Sequence, residues 1–286
     1  MSDGGKEVTI EHPINKPKMY SKTKHCADCG MMINMWARTR HGFKNSEGNY
    51  TTCSIRCVAD MAKNAGEQPT KVQVALYLEP DRMIDADKAI YIIGSAAKGT
   101  MTMRSKIAFD NRSNAEKFVA GHGGHITDFK GALNIATKEL PKSAKMIDAK
   151  RKRTGKIKEP SADTRCAVCN MFPAKYPQFN TQILTAKHGT IHFCSSQCLV
   201  EFTAHPDQYV IKKVTGKMTW VHVHPDKGYE NAIGLYYVVG SRLLGPMGTE
   251  AIAFRSKNAA YEFVAKKGGQ AVRYQQLTPE LIKKGK

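Results

Sequence analysis

Cys26-Ala-Asp-Cys29 followed by Cys53-Ser-Ile-Arg-Cys57, and Cys166-Ala-Val-Cys169 followed by Cys194-Ser-Ser-Gln-Cys198, write one pattern twice: C-x2-C, a gap of 23 or 24 residues, then C-x3-C. The register holds beyond the cysteines. Ala89-Ile-Tyr-Ile-Ile-Gly94-Ser95 corresponds to Gly234-Leu-Tyr-Tyr-Val-Val-Gly240-Ser241, and Met101 follows Gly94 at the distance at which Met247 follows Gly240. Phe109, Ala115, Phe118 and Gly123-Gly124 then match Phe254, Ala260, Phe263 and Gly268-Gly269. The chain is a tandem duplication, with a period too long for a solenoid array.

Within each copy the hydrophobic period switches in a regular order. Tyr50-Thr51-Thr52 and Thr190 to Phe193 are short β-type runs that feed a Cys-Ser step into amphipathic segments, Ile55 to Lys63 and Ser196 to His205, with Ser54 and Ser195 as helix N-caps. Strands follow at Lys71 to Leu78 and Met218 to Val223. The second half repeats the grammar: a strand at Ile90 to Ile93, a Gly-rich turn, a strand ending at Phe109, a helix from a capping box at Ser113 to Glu116, a Gly-Gly stop and a strand at Ile126. Each copy therefore reads as two ββαβ units, and the fold class is α+β. The expected organisation is an arm over residues 1–20, a first domain over 21–137, a basic linker over 138–160 and a second domain over 161–280.

Composition bounds the function. Of 286 residues, 41% are apolar and 24% charged, enough to form cores, and 44 Lys plus Arg against 25 Asp plus Glu leave a net charge of +19. Such a balance favours acidic partners, and Lys150-Arg151-Lys152-Arg153 in the linker is a candidate grip on an anionic membrane surface, although a charge run is more often a solvated face. No stretch approaches the roughly 20 apolar residues of a membrane span. The first twenty residues lack a signal-peptide core and a lipid-bearing cysteine, which leaves a cytoplasmic protein or one whose export signal was removed.

Cys57 and Cys198 fall in first helical turns, where free N–H groups and the helix dipole favour thiolate. With Cys53 and Cys194 beside them, and Cys26, Cys29, Cys166 and Cys169 on preceding turns, four sulfurs per copy suit a tetrahedral site of the kind that holds structural zinc. Methionine competes with that reading. Met31 and Met171 adjoin the C-x2-C pairs and Met101 and Met247 occupy turns, in matched positions where a large apolar residue is rarely needed. Thiolate plus thioether suits Cu(I) over harder ions. Met32, Met35, Met61 and Met218 read as fillers of core gaps. His122, His125, His188, His192, His222 and His224 read as core or surface residues, since those around the second cysteine motif have no counterpart in the first copy. Neither C-x2-C is followed by His, which excludes covalent haem attachment, and because extended segments are expected after both, a thioredoxin-type dithiol is disfavoured. No G-x-S-x-G elbow, Walker loop, H-E-x-x-H or dinucleotide fingerprint is present, so the chain reads as a binding protein, not an enzyme, with no small-molecule substrate.

Cys29-Gly30-Met31, the Tyr-x-x-Gly-Ser segments at 91–95 and 237–241, Gly245-Pro246-Met247-Gly248, Phe254 and Gly268-Gly269 together resemble the NosL family of copper-binding accessory lipoproteins of nitrous oxide reductase assembly. Phe193-Cys194-Ser195-Ser196-Gln197-Cys198 through Phe202, with Pro206 and Tyr209, is similar to the TRASH or YHS metal-binding modules. The NosL resemblance implies paired ββαβ units related to the scaffold of organomercurial lyase, a periplasmic or cell-envelope location, and a Cu(I) cargo held by Cys29, Met31 and Met101 and by Cys169, Met171 and Met247. It further implies a copper-receiving protein or membrane assembly complex as partner. The chain departs from the family in Lys98-Gly99-Thr100-Met101, in Asn170 and in the extra cysteines. The alternative function is an interaction module with two structural four-cysteine zinc sites and a basic partner-binding surface; nucleic acid is the less favoured partner.

Overall fold

The computed structural model describes residues 23–209, 218–225 and 228–284. They form two units, the first made of residues up to Lys63 and from Glu67 to Ile147, the second of Asn64–Gly66 and the chain from Asp148 on. The expected arm over residues 1–20 lies outside the described residues.

In the first unit a 3-10 stretch, Ile33–Thr39, leads into β1 (His41–Asn45), β2 (Gly48–Thr52), α1 (Ile55–Ala65), β3 (Thr70–Ala75) and β4 (Met83–Asp85). The hairpin between β1 and β2 is closed by the Asn45 side chain, whose Oδ1 accepts from the N–H groups of Glu47 (2.9 Å) and Gly48 (3.1 Å), a local bond that only a short amide or carboxylate provides. The second half is β5 (Ile90–Ile93), β6 (Lys106–Phe109), α2 (Arg112–His122), β7 (His125–Thr127) and α3 (Phe129–Lys138), and α4 (Leu140–Arg153) follows. Two antiparallel sheets result, of order β2-β1-β3-β4 and β6-β5-β7.

The second unit repeats this plan. A 3-10 turn, Pro173–Lys175, precedes β8 (Thr181–Thr185), β9 (Gly189–Phe193), α5 (Ser196–Ala204), β10 (Met218–His222) and β11 (Tyr229–Asn231). Then come β12 (Tyr236–Val239), β13 (Ile252–Phe254), α6 (Lys257–Lys267), β14 (Gln270–Arg273) and α7 (Pro279–Lys283). The sheets are β11-β10-β8-β9 and β13-β12-β14, again antiparallel. The fold is α+β, with the ββαβ unit present four times.

The central strand of each smaller sheet explains its unbroken apolar run. Tyr91 and Ile93 face a core shared with Val58 of α1, Val74 of β3 and Phe129 of α3, while Ile92 faces Phe109 and Phe118 under α2. In β12, Tyr237 and Val239 join the core that includes Phe193 and Phe202, and Tyr236 and Val238 pack with Phe263 of α6. A strand buried on both faces must be apolar at successive positions, and a Phe sealed in such a core is worth about 3–5 kcal/mol against truncation to Ala. The two sheets of the first unit are further tied by buried His41, whose Nδ1 lies 2.9 Å from the Thr39 carbonyl and Nε2 3.1 Å from the Tyr91 hydroxyl.

Three local expectations need correction. The stretch read as a basic linker contains the end of α3 and all of α4: Leu140, Ser143 and Ile147 recur at helical spacing and are buried, and the cations occupy the remaining faces. α2 is capped by Asn111, whose side chain accepts from the Asn114 N–H at 3.2 Å, so the helix starts before the expected box at Ser113. The C-x2-C motifs lead into 3-10 turns, not extended segments, because Met31 to Trp36 and Met171 to Tyr176 carry no apolar–polar alternation. Among the described residues no helix is long and apolar enough to cross a membrane.

Candidate metal centres

Each C-x2-C pair sits on a tight knuckle. The Cys26 N–H donates to the Met31 carbonyl (2.8 Å) and the Gly30 N–H to the Cys26 carbonyl (3.0 Å); the Cys166 to Met171 and Asn170 to Cys166 bonds, at 2.7 and 3.0 Å, repeat the arrangement. The knuckle needs a left-handed residue, Gly30 at φ 72° and Asn170 at φ 63°, and Asn is the non-glycine residue that best tolerates that region. The N–H groups of Ala27 and Ala167 dock the knuckles onto β2 and β9 through the carbonyls of Thr51 and His192. The second pair of thiols comes from the strand end and the following helix. In α5, Ser195 caps with its side chain, accepting from the Cys198 N–H at 3.2 Å; in α1, the Ser54 carbonyl accepts from Cys57 at 3.0 Å.

The result is two quartets, Cys26, Cys29, Cys53 and Cys57, and Cys166, Cys169, Cys194 and Cys198, the four Sγ atoms of each lying within 4.8 Å of one another. All eight are free thiols. Cys29–Cys53 and Cys53–Cys57 are 3.6 Å apart, Cys169–Cys194 3.4 Å and Cys194–Cys198 3.7 Å. A tetrahedral ion with sulfur at about 2.3 Å sets its ligands about 3.8 Å apart, so both quartets fit a four-coordinate ion with little adjustment. The first quartet is buried throughout, whereas Cys169 of the second is half-buried.

The thiols share protons unequally. Burial opposes ionisation of Cys26, but hydrogen bonds from Cys29, Cys53 and Cys57 outweigh it and hold its pKa well below the ordinary thiol range. Cys57 also lies below that range: its bond with Cys26 acts upward, and those with Cys29 and Cys53 prevail. Cys29 and Cys53 are pushed up, chiefly by their bonds to Cys26. In the second quartet, bonds from Cys194 and Cys198 pull Cys166 down, and the same bonds push those two donors up. A cation entering either quartet replaces the retained protons.

The surroundings differ between the two. Beside the first quartet, Arg56 pairs with Asp28 (3.0 Å) and Asp60 (3.1 Å) in a nearly buried triad, and its guanidinium lies 4.0 Å from the Cys57 sulfur. Burial opposes the arginine charge, and Asp28, Cys57 and Asp60 hold it in place. The second quartet has Gln197 in place of Arg56, and a buried acid. Glu250, 3% exposed, accepts through Oε1 from the N–H groups of Gln197 (2.9 Å) and Ala251 (3.1 Å), while Oε2 has no hydrogen-bond partner among the described residues. Burial pushes its pKa up to about 8. The Gln197 amide, in the orientation its neighbours require, donates to the carbonyls of Met247 (3.2 Å) and Thr249 (2.8 Å). Together these residues clamp the methionine loop to the helix that carries Cys198. The loop closes on itself through reciprocal Gly245–Gly248 bonds of 2.8 and 3.0 Å, and a Cβ at Gly245 would meet Glu250 Oε2 at 2.5 Å.

Half-buried Met31 and Met101 pack against the first quartet, and Met171 and Met247 against the core containing the second. Met101 has φ 61°, a left-handed conformation unusual for so large a side chain and held here by its loop. Of the methionines expected to fill core gaps, Met61 is buried and Met218 packs against the Trp220 cluster, but Met32 and Met35 are 53% and 36% exposed. The 3-10 stretch that replaces the expected extended segment, with Met32 as its N-cap and Met35 in its first turn, leaves them at the surface. His25, beside the first knuckle, and Glu250 escaped sequence reasoning; their signal lay only in proximity to the motif cysteines and methionines.

The NosL family model matches residues 17–134 and, a second time, residues 157–282. The chain belongs to the NosL family. The copper-binding lipoprotein NosL of Stutzerimonas stutzeri is 27% identical over 123 residues, which are 41% of this chain and 63% of that protein, so the match spans less than two thirds of the relative. The crystal structure of the copper chaperone NosL from Shewanella denitrificans is 27% identical, with 43% of this chain and 95% of that chain covered at a TM-score of 0.38. The 123 matched residues of the lipoprotein are about the length of one of the two family segments, whereas the family pattern occurs here twice.

Proposed function

We propose that this tandem NosL protein binds Cu(I) in both domains and passes it to an acceptor of the cell envelope, the assembly machinery of nitrous oxide reductase being the acceptor class that the family suggests. The observation that carries this reading is the packing of Met31 and Met101, from separate loops, against the first thiol quartet, with Met171 and Met247 at the matching positions on the core that contains the second. Thioethers contribute little to a hard or borderline ion and much to a soft monovalent one. Cys29, Met31 and Met101, and Cys169, Met171 and Met247, form the exchangeable donor sets, with the remaining cysteines completing each cage. The cargo moves by ligand substitution. As donors of an acceptor replace sulfurs of the cage one at a time, each released thiol with a raised pKa takes back a proton. The basic face of α4 is a surface for anionic headgroups, and an envelope location follows the lipoprotein relative.

The near-tetrahedral spacing of four thiols favours a second reading, in which the cages hold zinc and stabilise the domains. One experiment separates the two. Changing Met31 and Met101, or Met171 and Met247, to Leu preserves volume and removes the soft donor. On the copper reading it weakens Cu(I) binding by about 10–100-fold in competition with a chromogenic chelator, with zinc binding and circular dichroism retained. Unchanged Cu(I) affinity in both double variants rejects the thioethers as ligands and with them the observation that favours copper over zinc.

A further inference from the structure

The two knuckles share a backbone but present different chemistry on their outer side. In the first, His25 and Met32 are antiparallel bridge partners, which sets their side chains on one side at roughly 5 Å between Cβ atoms. Met35 follows three residues on, its N–H donating to the Met32 carbonyl at 3.2 Å. Met32 is the extended N-cap of the 3-10 stretch Ile33–Thr39 and Met35 lies in its first turn, so the two thioethers stand about one short turn apart at the start of that stretch. The His25 Nδ1 lies 3.1 Å from the Gly30 carbonyl. Donation there fixes the tautomer whose Nε2 carries the lone pair, the arrangement usual for a metal-bound imidazole. All three side chains are exposed.

In the second knuckle the corresponding residues are Arg165, Phe172 and Lys175. Arg165 donates to the Asn170 carbonyl at 3.1 Å, matching the His25 bond, while its guanidinium covers the Phe172 ring at 3.6 Å and the Lys175 ammonium lies 5.1 Å from that ring. The knuckle therefore folds without exposed methionines, and its outer side repels a cation. Exposed Met32 and Met35 contribute little to packing, and a patch of soft donors against a thiol cage calls for another explanation than stability.

We infer that His25, Met32 and Met35 form a surface site for a monovalent soft cation, specific to the first domain and outside its thiol cage. Two thioethers and an imidazole bind Cu(I) more weakly than thiolates and exchange it faster, and half-buried Met31 and Met101 pack against the cage, Met31 being next to Met32 in the chain. The site is where cargo arrives at the first domain. In that role it rests on the copper reading above, but its existence does not.

The test uses the full chain labelled with 13C at the methionine methyls and titrated with Ag(I) as silver nitrate. Thiolate absorption follows the cages independently. Beyond the equivalents taken by thiolate, about one further equivalent shifts the Met32 and Met35 methyls, and the variant His25→Ala/Met32→Leu/Met35→Leu loses that equivalent with its amide spectrum and thiolate-bound silver intact. The converse variant, Arg165→His/Phe172→Met/Lys175→Met, gains a similar site in the second domain. Unmoved Met32 and Met35 methyls, or equal stoichiometry in the triple variant, overturn the site. Shifted methyls without thiolate absorption on adding Cu(I) or Ag(I) sustain the site and reject the copper reading of the cages.

Discussion

Replacing Glu250 with Gln changes the pH dependence of the second domain in a direction and by an amount that follow from the structure. The carboxyl is buried, its Oε1 accepts from two backbone N–H groups, and burial outweighs these bonds and pushes its pKa up to about 8. Between the ordinary carboxylate range and about pH 8 the folded protein keeps a proton that the unfolded chain has released, so stability falls as pH rises. The slope is at most about 1.4 kcal/mol per pH unit, and the whole window amounts to something on the order of 5 kcal/mol. Above pH 8 the cost is constant, and below the carboxylate range it vanishes. Gln keeps the Oε1 acceptor and removes the titration; its amide nitrogen, in place of an oxygen with no hydrogen-bond partner among the described residues, adds only a pH-independent offset. Calorimetric melts of the zinc-loaded full chain from pH 6 to 9 then show the variant gaining on the parent by about 2–3 kcal/mol between pH 6 and 8, a shift of several degrees in the second-domain transition. Parallel Tm curves, or a variant that gains most at pH 6, refute the assignment of a neutral acid behind the methionine loop.

Two further outcomes are expected. Burial pushes His41 down to about 4, so the first domain is fully stabilised above the ordinary histidine range and loses on the order of 3 kcal/mol as the pH falls from about 6.5 to 4; His41→Leu flattens this loss. Trp36 fluorescence in urea, with Trp220 changed to Phe, reads it, and an unchanged acid slope contradicts the assignment. Metal entry into either quartet releases protons, Cys29 and Cys53 being among the sources in the first and Cys194 and Cys198 in the second, whose pKa values are pushed up. Calorimetric titration with zinc in buffers of differing ionisation heat counts them, and release near zero means that the quartets are already ionised.

Much of the architecture was legible because the duplication doubles every signal. Cysteine spacing forecast both quartets, since strand-end and first-turn positions are fixed by local geometry. The runs at Ile90 to Ile93 and Tyr236 to Val239 forecast the central strands because burial on both faces leaves no polar position. What escaped depended on tertiary context. Lys150 to Arg153 hid a helix whose stripe is only Leu140, Ser143 and Ile147 wide, and Asn111 outcompeted Ser113 as a cap by one turn geometry over another. Met32 and Met35 looked like core residues by type, yet a 3-10 turn sends them outward. Glu250 resembled any surface acid, because burial beside Gln197 comes from a loop remote in sequence.

The quartets are local in the chain, Cys26 to Cys57 spanning 32 residues and Cys166 to Cys198 spanning 33, while Met101 and Met247 arrive much later. Short loops close early and at small entropic cost. During synthesis on the ribosome, each nascent domain exposes its thiol trap before the thioether arm has been translated. On the copper reading proposed above, Met31 and Met171 emerge with the thiols but Met101 and Met247 do not, so the order of translation gives the first ion encountered access to sulfur before the full donor set is in place.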